Sequence, residues 1–194
     1  MPKSKSKANL MFTDAVNREI KKNKGLPPVH LWNPPLSGDM DMRIARNGEW
    51  FHEGSKIERV ALVKLFASIL RRDEDGCFYL LTPVEKWRIT VEGAPFTAQS
   101  LDISKGESGT KNQCLLTFGT NVGDEVTADS EHPIRVEVDS ATGEPTPYVL
   151  VRGGLEAQLD RNVFYQLADI AQERVVNGEV VLGVESRGTF FRLV

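Results

Sequence analysis

Fixed cations recur beside aromatic residues in this chain, and that pairing is its clearest chemical signal. Trp32, Trp50, Trp87 and Tyr148 lie close in sequence to Arg43, Lys86 and Arg152. An aromatic face stacks on a flat ring while a guanidinium fork pairs with phosphate or carboxylate, so the set suits a small, nucleotide-like anion. Arg152-Gly153-Gly154 adds backbone that a bound group can approach closely, because glycine has no Cβ. Thr120-Asn121-Val122-Gly123-Asp124 offers further polar contacts, although turning the chain is the simpler role for such a segment. His52, two residues from Trp50 and hence on the same strand face, joins the candidates. The competing reading is structural: tryptophans fill a core and arginine stems cover its rim.

Other chemistries find less support. Lys105-Gly106-Glu107-Ser108-Gly109-Thr110-Lys111 looks like a phosphate loop. A Walker loop, however, needs four residues between its glycines and a helix behind it, and here the spacing is wrong and strand patterns flank the segment. A hairpin tip is the better reading. No G-x-S-x-G elbow is present, and His30, His52 and His132 lack partner motifs, so no catalytic residues are assigned. Cys77 and Cys114 form no C-x-x-C pair and read as reduced core thiols of a cytoplasmic protein. Asp39 and Asp41 share a strand face; with His52 they define a metal-dependent hydrolase as a distant alternative, yet no H-E-x-x-H or EF-hand pattern accompanies them. Neither a metal nor a cofactor is expected.

The elements that must position these residues follow from periodicity. Thr13 can cap a short helix running to Asn23. Pro27-Pro28 and Trp32-Asn33-Pro34-Pro35 force an extended strap, with Trp32 expected to pin it. Residues 39–46 alternate, and Asn47-Gly48 predicts a two-residue hairpin returning through Trp50 and Phe51. Ser55-Lys56-Ile57-Glu58 has the form of a capping box and opens a helix predicted over 56–72, followed by an Asp75-Gly76 turn and a strand over 78–81. Strands are predicted over 86–91, 97–103, 113–118, 134–138 and 148–151. A second helix over 160–176 and a hairpin turning at Ser186-Arg187-Gly188 complete the chain.

The helix, Asx-Gly turn and apolar strand over 57–81 recur from residue 159 at a constant offset of 102, which marks an internal duplication. The fold class expected is α+β: two strand-hairpin, helix and hairpin units with mostly antiparallel sheets, divided as a tail over 1–25, a unit over 26–84 and a unit over 85–194. Halves of this size bury too little surface to be robust alone, so they should lean on each other, and the seam between such units is a common place for a ligand.

The 194 residues, 40% hydrophobic and 26% charged, describe an ordinary globular protein without a membrane-spanning run. Residues 1–24 carry seven basic and two acidic groups, a net of +5, which leaves −8 for the remainder of a chain at −3. A body so charged repels phosphate backbones, so nucleic acid is not an expected partner; the basic arm leaves a protein partner open.

Several blocks carry a resemblance. Trp32-Asn33-Pro34-Pro35, Gly38-Asp39, Asp41-Met42-Arg43-Ile44, Thr82-Pro83-Val84-Glu85-Lys86, Thr120-Asn121-Val122-Gly123-Asp124, His132-Pro133 and the run from Tyr148 to Ala157 occur in this order. Together they resemble the bacterial family known as Domain of Unknown Function 1285. The resemblance implies two related α+β units, a C-terminal unit superficially like pleckstrin-homology folds, a nucleotide-type ligand at the interface and a place in bacterial signalling. It implies no established activity. It does imply a candidate pocket near Arg43, Glu85, Lys86, Asn121, Arg152 and Glu156. The function expected is non-enzymatic binding of a small anionic ligand; the alternative is a protein-interaction module.

Overall fold

Antiparallel meanders make up most of the chain, and the helices are short. The computed structural model describes residues 25–108, 111–176 and 178–193, so the basic segment over 1–24 and the helix predicted within it lie outside the described residues. The chain divides into two compact units, Met1–Glu92 and Gly93–Val194.

The N-terminal unit runs β1 (Leu36–Ile44), β2 (Trp50–His52), β3 (Ser55–Lys56), α1 (Val60–Ser68), β4 (Leu70–Arg72), β5 (Phe78–Leu81) and β6 (Lys86–Val91). Two three-stranded meanders flank α1, and they join through a parallel pairing of β1 with β6 into one sheet of order β3-β2-β1-β6-β5-β4. On β1 the side chains alternate in depth: Met42 and Ile44 are buried and Arg43 between them is half-exposed. Trp50 stacks on Phe66 of α1 with ring centroids 6.2 Å apart, and Ile69, Leu70, Leu80, Leu81 and Ile89 complete this core. Each such side chain contributes about 1.5–3 kcal/mol by leaving water.

The C-terminal unit begins with a meander the first lacks: β7 (Phe96–Ser108), β8 (Lys111–Thr120) and β9 (Glu125–Thr127). It continues as β10 (Ile134–Val138), β11 (Pro145–Arg152), β12 (Leu155–Leu159), α2 (Arg161–Asp169), β13 (Gln172–Val176), β14 (Glu179–Ser186) and β15 (Thr189–Arg192). A parallel pairing of β12 with β7 gives the sheet β10-β11-β12-β7-β8-β9, while β13-β14-β15 stand as a separate three-stranded sheet. Ser186, fully buried on β14, links the two: its hydroxyl donates to Ala128 O at 2.7 Å and accepts from Leu116 N at 3.1 Å. On α2, Val163 and Leu167 are buried one turn apart, whereas Arg161, Gln166 and Asp169 are exposed.

The duplicated two-unit architecture stands, but the α+β class does not. The protein is mostly β, with three sheets and, among the described residues, two nine-residue α-helices. Both helices stop early because strand pairing takes their expected ends. Leu70–Arg72 pair with Phe78–Leu80, and Gln172–Val176 with Glu179–Gly183, where β-branched Val175 and Val176 suit a strand better than a helix. The serine of the expected capping box lies in β3, opposite His52, and α1 starts at an Arg59 N-cap with no side-chain cap. Asn47-Gly48 belongs to a three-residue loop closed by Ala45 N donating to Glu49 O at 2.9 Å, with Gly48 at φ +79°. The first unit extends past residue 84, since β6 is an interior strand of its sheet.

Candidate functional site

Cations lie on aromatic rings throughout the fold, and each such cation that the sequence selected is already closed by a carboxylate. In the N-terminal unit the Arg43 guanidinium sits 4.2 Å from the Phe51 centroid and bonds Glu92 at 2.7 Å. Lys86 Nζ lies 4.0 Å from the Tyr79 centroid and 2.5 Å from Asp73 Oδ2. Burial pulls the Asp73 carboxyl upward, yet the hydrogen bonds from Arg71 and Lys86 outweigh it and hold the group below its ordinary range. The Tyr79 hydroxyl donates to Asp75 at 2.5 Å, and chiefly for that reason its pKa is pushed up to about 12.

Arg43 and Lys86 do not converge within this unit. Lys86 pairs with Leu36 at the start of the β1–β6 ladder, and Arg43 with Thr90 near its end. Glu85 shapes the preceding turn, its N–H donating to Thr82 Oγ1 at 3.0 Å and its carbonyl accepting from Thr82 N at 2.9 Å. His52 is half-buried opposite Met42. Trp32 is half-buried too, but Arg71 holds the strap, donating to the carbonyls of Val29 at 3.0 Å and Trp32 at 2.6 Å. Asp39 accepts two bonds from Arg88, at 2.6 and 3.0 Å, which engages it as an ion-pair partner. No group of three or more His, Cys, Asp or Glu among the described residues could hold a metal.

The C-terminal unit does bring two of the sequence candidates together. A bulge between Leu150 and Arg152 turns Arg152 to the side of Leu155, with which it pairs, and Leu155, Ala157 and Phe96 are all buried there. The Arg152 guanidinium lies 4.9 Å from the Phe96 centroid and bonds Asp124. Asp124 closes the Thr120–Asp124 turn, its N–H donating to Thr120 Oγ1 and its carbonyl accepting from Thr120 N, both at 2.9 Å. In the same turn Asn121 is locked to β7: Thr97 N donates to Asn121 Oδ1 at 3.1 Å and Asn121 N to Thr97 O at 2.9 Å. Gly153 and Gly154, at φ +51° and +76°, complete the β11–β12 turn, and a Cβ on either would meet open space. Glu156 lies apart from this corner, accepting two bonds from Arg135 at 2.5 and 2.6 Å, with Arg135 stacked 4.3 Å from the Tyr148 centroid.

Sequence reasoning missed one feature, a groove of about 530 Å³ beside the first turns of α2, lined in part by Arg161 and Tyr165. The i, i+4 spacing of those residues was its visible signal. The facing wall comes from β11 and β12; the second was not among the predicted strands, although its Leu155-Glu156-Ala157-Gln158-Leu159 alternation was a legible strand signal.

Two family models cover the chain: the N-terminal domain of unknown function DUF1285 matches residues 27–94, and the C-terminal domain of the same family matches residues 95–193. The chain belongs to the DUF1285 family. A DUF1285 family protein from Silicibacter pomeroyi DSS-3 is similar in structure, with 51% identity, 88% of each chain covered and a TM-score of 0.77. A second, from Shewanella baltica OS155, shows 26% identity over 67% of this chain and 91% of its own, with a TM-score of 0.51. No curated protein matches. Among the described residues of this DUF1285 chain, no helix is long and apolar enough to cross a membrane.

Proposed function

We propose that this protein is a non-enzymatic binding protein for a small, nucleotide-like anion and that it acts in bacterial signalling. The observation that supports this reading is the Arg152 corner. The bulge aims a half-buried guanidinium over Phe96, beside two glycines with open space around them, and the Asp124 carboxylate pairs with it as an anionic ligand would. A phosphate or carboxylate that displaces Asp124 keeps the guanidinium paired and frees the Thr120–Asp124 turn. Binding is thereby coupled to a local change that a partner can read.

Calorimetric titration with nucleoside monophosphates and cyclic dinucleotides tests the reading. Asp124→Asn removes the competing charge and should tighten binding about tenfold, while Arg152→Met should abolish it. Loss of neither and gain of neither, or no binding by the wild type, would overturn it.

The exposed edge strand β13 favours a second reading, a protein-interaction module. All five of its residues are exposed, and Val175 pairs with Val180 at 68% and 66% exposure, a ready edge for strand addition. Recovery of the same co-purifying proteins by wild type and by a Val175→Lys variant would dismiss it.

A further inference from the structure

In the C-terminal unit Arg135, Arg152, Arg174, Arg187 and Arg192 each face a carboxylate, but Arg161 has no ion-pair partner among the described residues. It is also the arginine that lines the groove. That groove is bounded by the N-terminal half of α2 on one side and by the start of β11 and the end of β12 on the other. Its volume falls within the range of small-molecule sites. Arg161 and Tyr165 stand one helical turn apart, so a cation and a 58%-exposed phenol ring are neighbours on the same face of α2. Buried Pro147 and Leu159 give the opposite side an apolar surface, and Gln158 supplies an amide. On the next strand Thr97, directly opposite Gln158 in register, holds a buried hydroxyl with no hydrogen-bond partner among the described residues, so this part of the sheet has polar capacity to spare.

We propose that this groove is a second binding site, separate from the Arg152 corner, for a small molecule combining a flat ring with one anionic group. The ring packs against Tyr165 and Pro147, and the anion pairs with the Arg161 guanidinium. Glu144, which also lines the groove, limits the tolerated charge: a single negative group gains Arg161, while a polyphosphate meets a carboxylate as well. Glu144 can accept from a hydroxyl or amine on the ring, so 4-hydroxybenzoate and adenosine monophosphate are the probes of choice, one for carboxylate and one for phosphate.

The experiment is a titration of the full chain with each probe, followed by amide chemical shifts. Wild type should bind at least one probe with shifts at Glu144, Thr146, Gln158, Leu159 and the N-terminal half of α2 but not at Arg152–Gly154, and the probe that binds identifies the anion. Arg161→Met should weaken binding tenfold or more and Tyr165→Ala several-fold; both side chains are exposed, so folding is preserved. Arg152→Met should leave the affinity for 4-hydroxybenzoate and the shifts at Thr146, Gln158 and α2 unchanged, whatever it does to nucleotide binding at the Arg152 corner, which separates failure here from failure at the other site. Absence of binding by both probes below 5 mM would overturn the proposal, on the scale of about 3 kcal/mol for the weakest useful ligand. So would equal affinity in the wild type and the Arg161→Met variant.

Discussion

The two units share an order of elements, meander, helix, meander, but they close that order differently. In both, the hairpin before the helix turns on two residues of positive φ: Glu53 and Gly54 at +48° and +75°, and Gly153 and Gly154 at +51° and +76°. In the N-terminal unit the outer meander strands β1 and β6 zip together in parallel. Their counterparts β10 and β15 touch without forming a ladder, and the parallel pairing of this unit is made instead by β12, the counterpart of β3, with the additional meander at β7. The second sheet of the C-terminal unit is joined to the first by separate bonds, the Ser186 hydroxyl to Ala128 O and Leu116 N and the Arg187 N–H to Cys114 O at 3.0 Å, where the first unit uses a ladder. Copying preserves local turns and helices; a new strand edge redirects how the sheets assemble.

Four changes sharpen or break that comparison. The largest effect is expected at Gly183, where a Cβ would lie 2.3 Å from Phe191 O and 2.5 Å from the Phe190 ring. Gly183→Ala should cost about 3 kcal/mol in urea denaturation, and an unchanged midpoint would mean that β14 and β15 have slack the geometry denies. Next comes Arg71, which joins the strap carbonyls to Asp73; Arg71→Ala should cost about 2–3 kcal/mol and Arg71→Lys should restore under half. Its counterpart at the offset of 102, Glu173, is exposed, and Glu173→Ala should stay within about 0.5 kcal/mol. Equal losses at the two would contradict the different closure of the units.

Gly54→Ala and Gly154→Ala come third. Both turns need left-handed backbone and both Cβ positions are open, so each should cost about 1 kcal/mol, and nearly the same amount. A twofold disparity would separate turns that the duplication makes alike. The smallest effect concerns pH. Tyr79 is held neutral to about pH 12 by Asp75, whereas its unfolded counterpart ionises near 10. Stability is therefore full below pH 10 and falls as pH rises from there toward 12, by less than about 1 kcal/mol. The corresponding residue of the second unit is Val181. Tyr79→Phe should flatten the alkaline limb of melting temperature against pH; an unaltered limb would place its origin elsewhere.

Much of the β framework was legible because its signals are local. The strands over 78–81, 86–91 and 134–138 appear where alternation and turn residues put them, and the Asp75-Gly76 and Arg187-Gly188 turns fall at glycines with positive φ. The helix ends were not legible, since Leu70–Arg72 and Gln172–Val176 satisfy a helical pattern and a ladder alike and only the partner strand decides. The candidate site divides in the same way. The resemblance grouped Asn121 with Arg152, and the two glycines were legible beside the arginine. Asp124 as the partner of Arg152 was not, because across a separation of 28 residues no pattern brings the two together.

By itself the sequence determined the duplication, the family and the turns. These depend on residue type and short-range spacing, which backbone sterics and hydrophobic periodicity translate directly. The rings that Arg43, Lys86 and Arg152 meet are Phe51, Tyr79 and Phe96, not the tryptophans and Tyr148 that the sequence singled out. Only the tertiary structure decided which carboxylate neutralises each cation, that a bulge redirects Arg152, and that Arg161 lines a groove with no ion-pair partner among the described residues. Those outcomes follow from which strand edges meet, and a ladder between distant segments forms by free-energy competition across the whole fold.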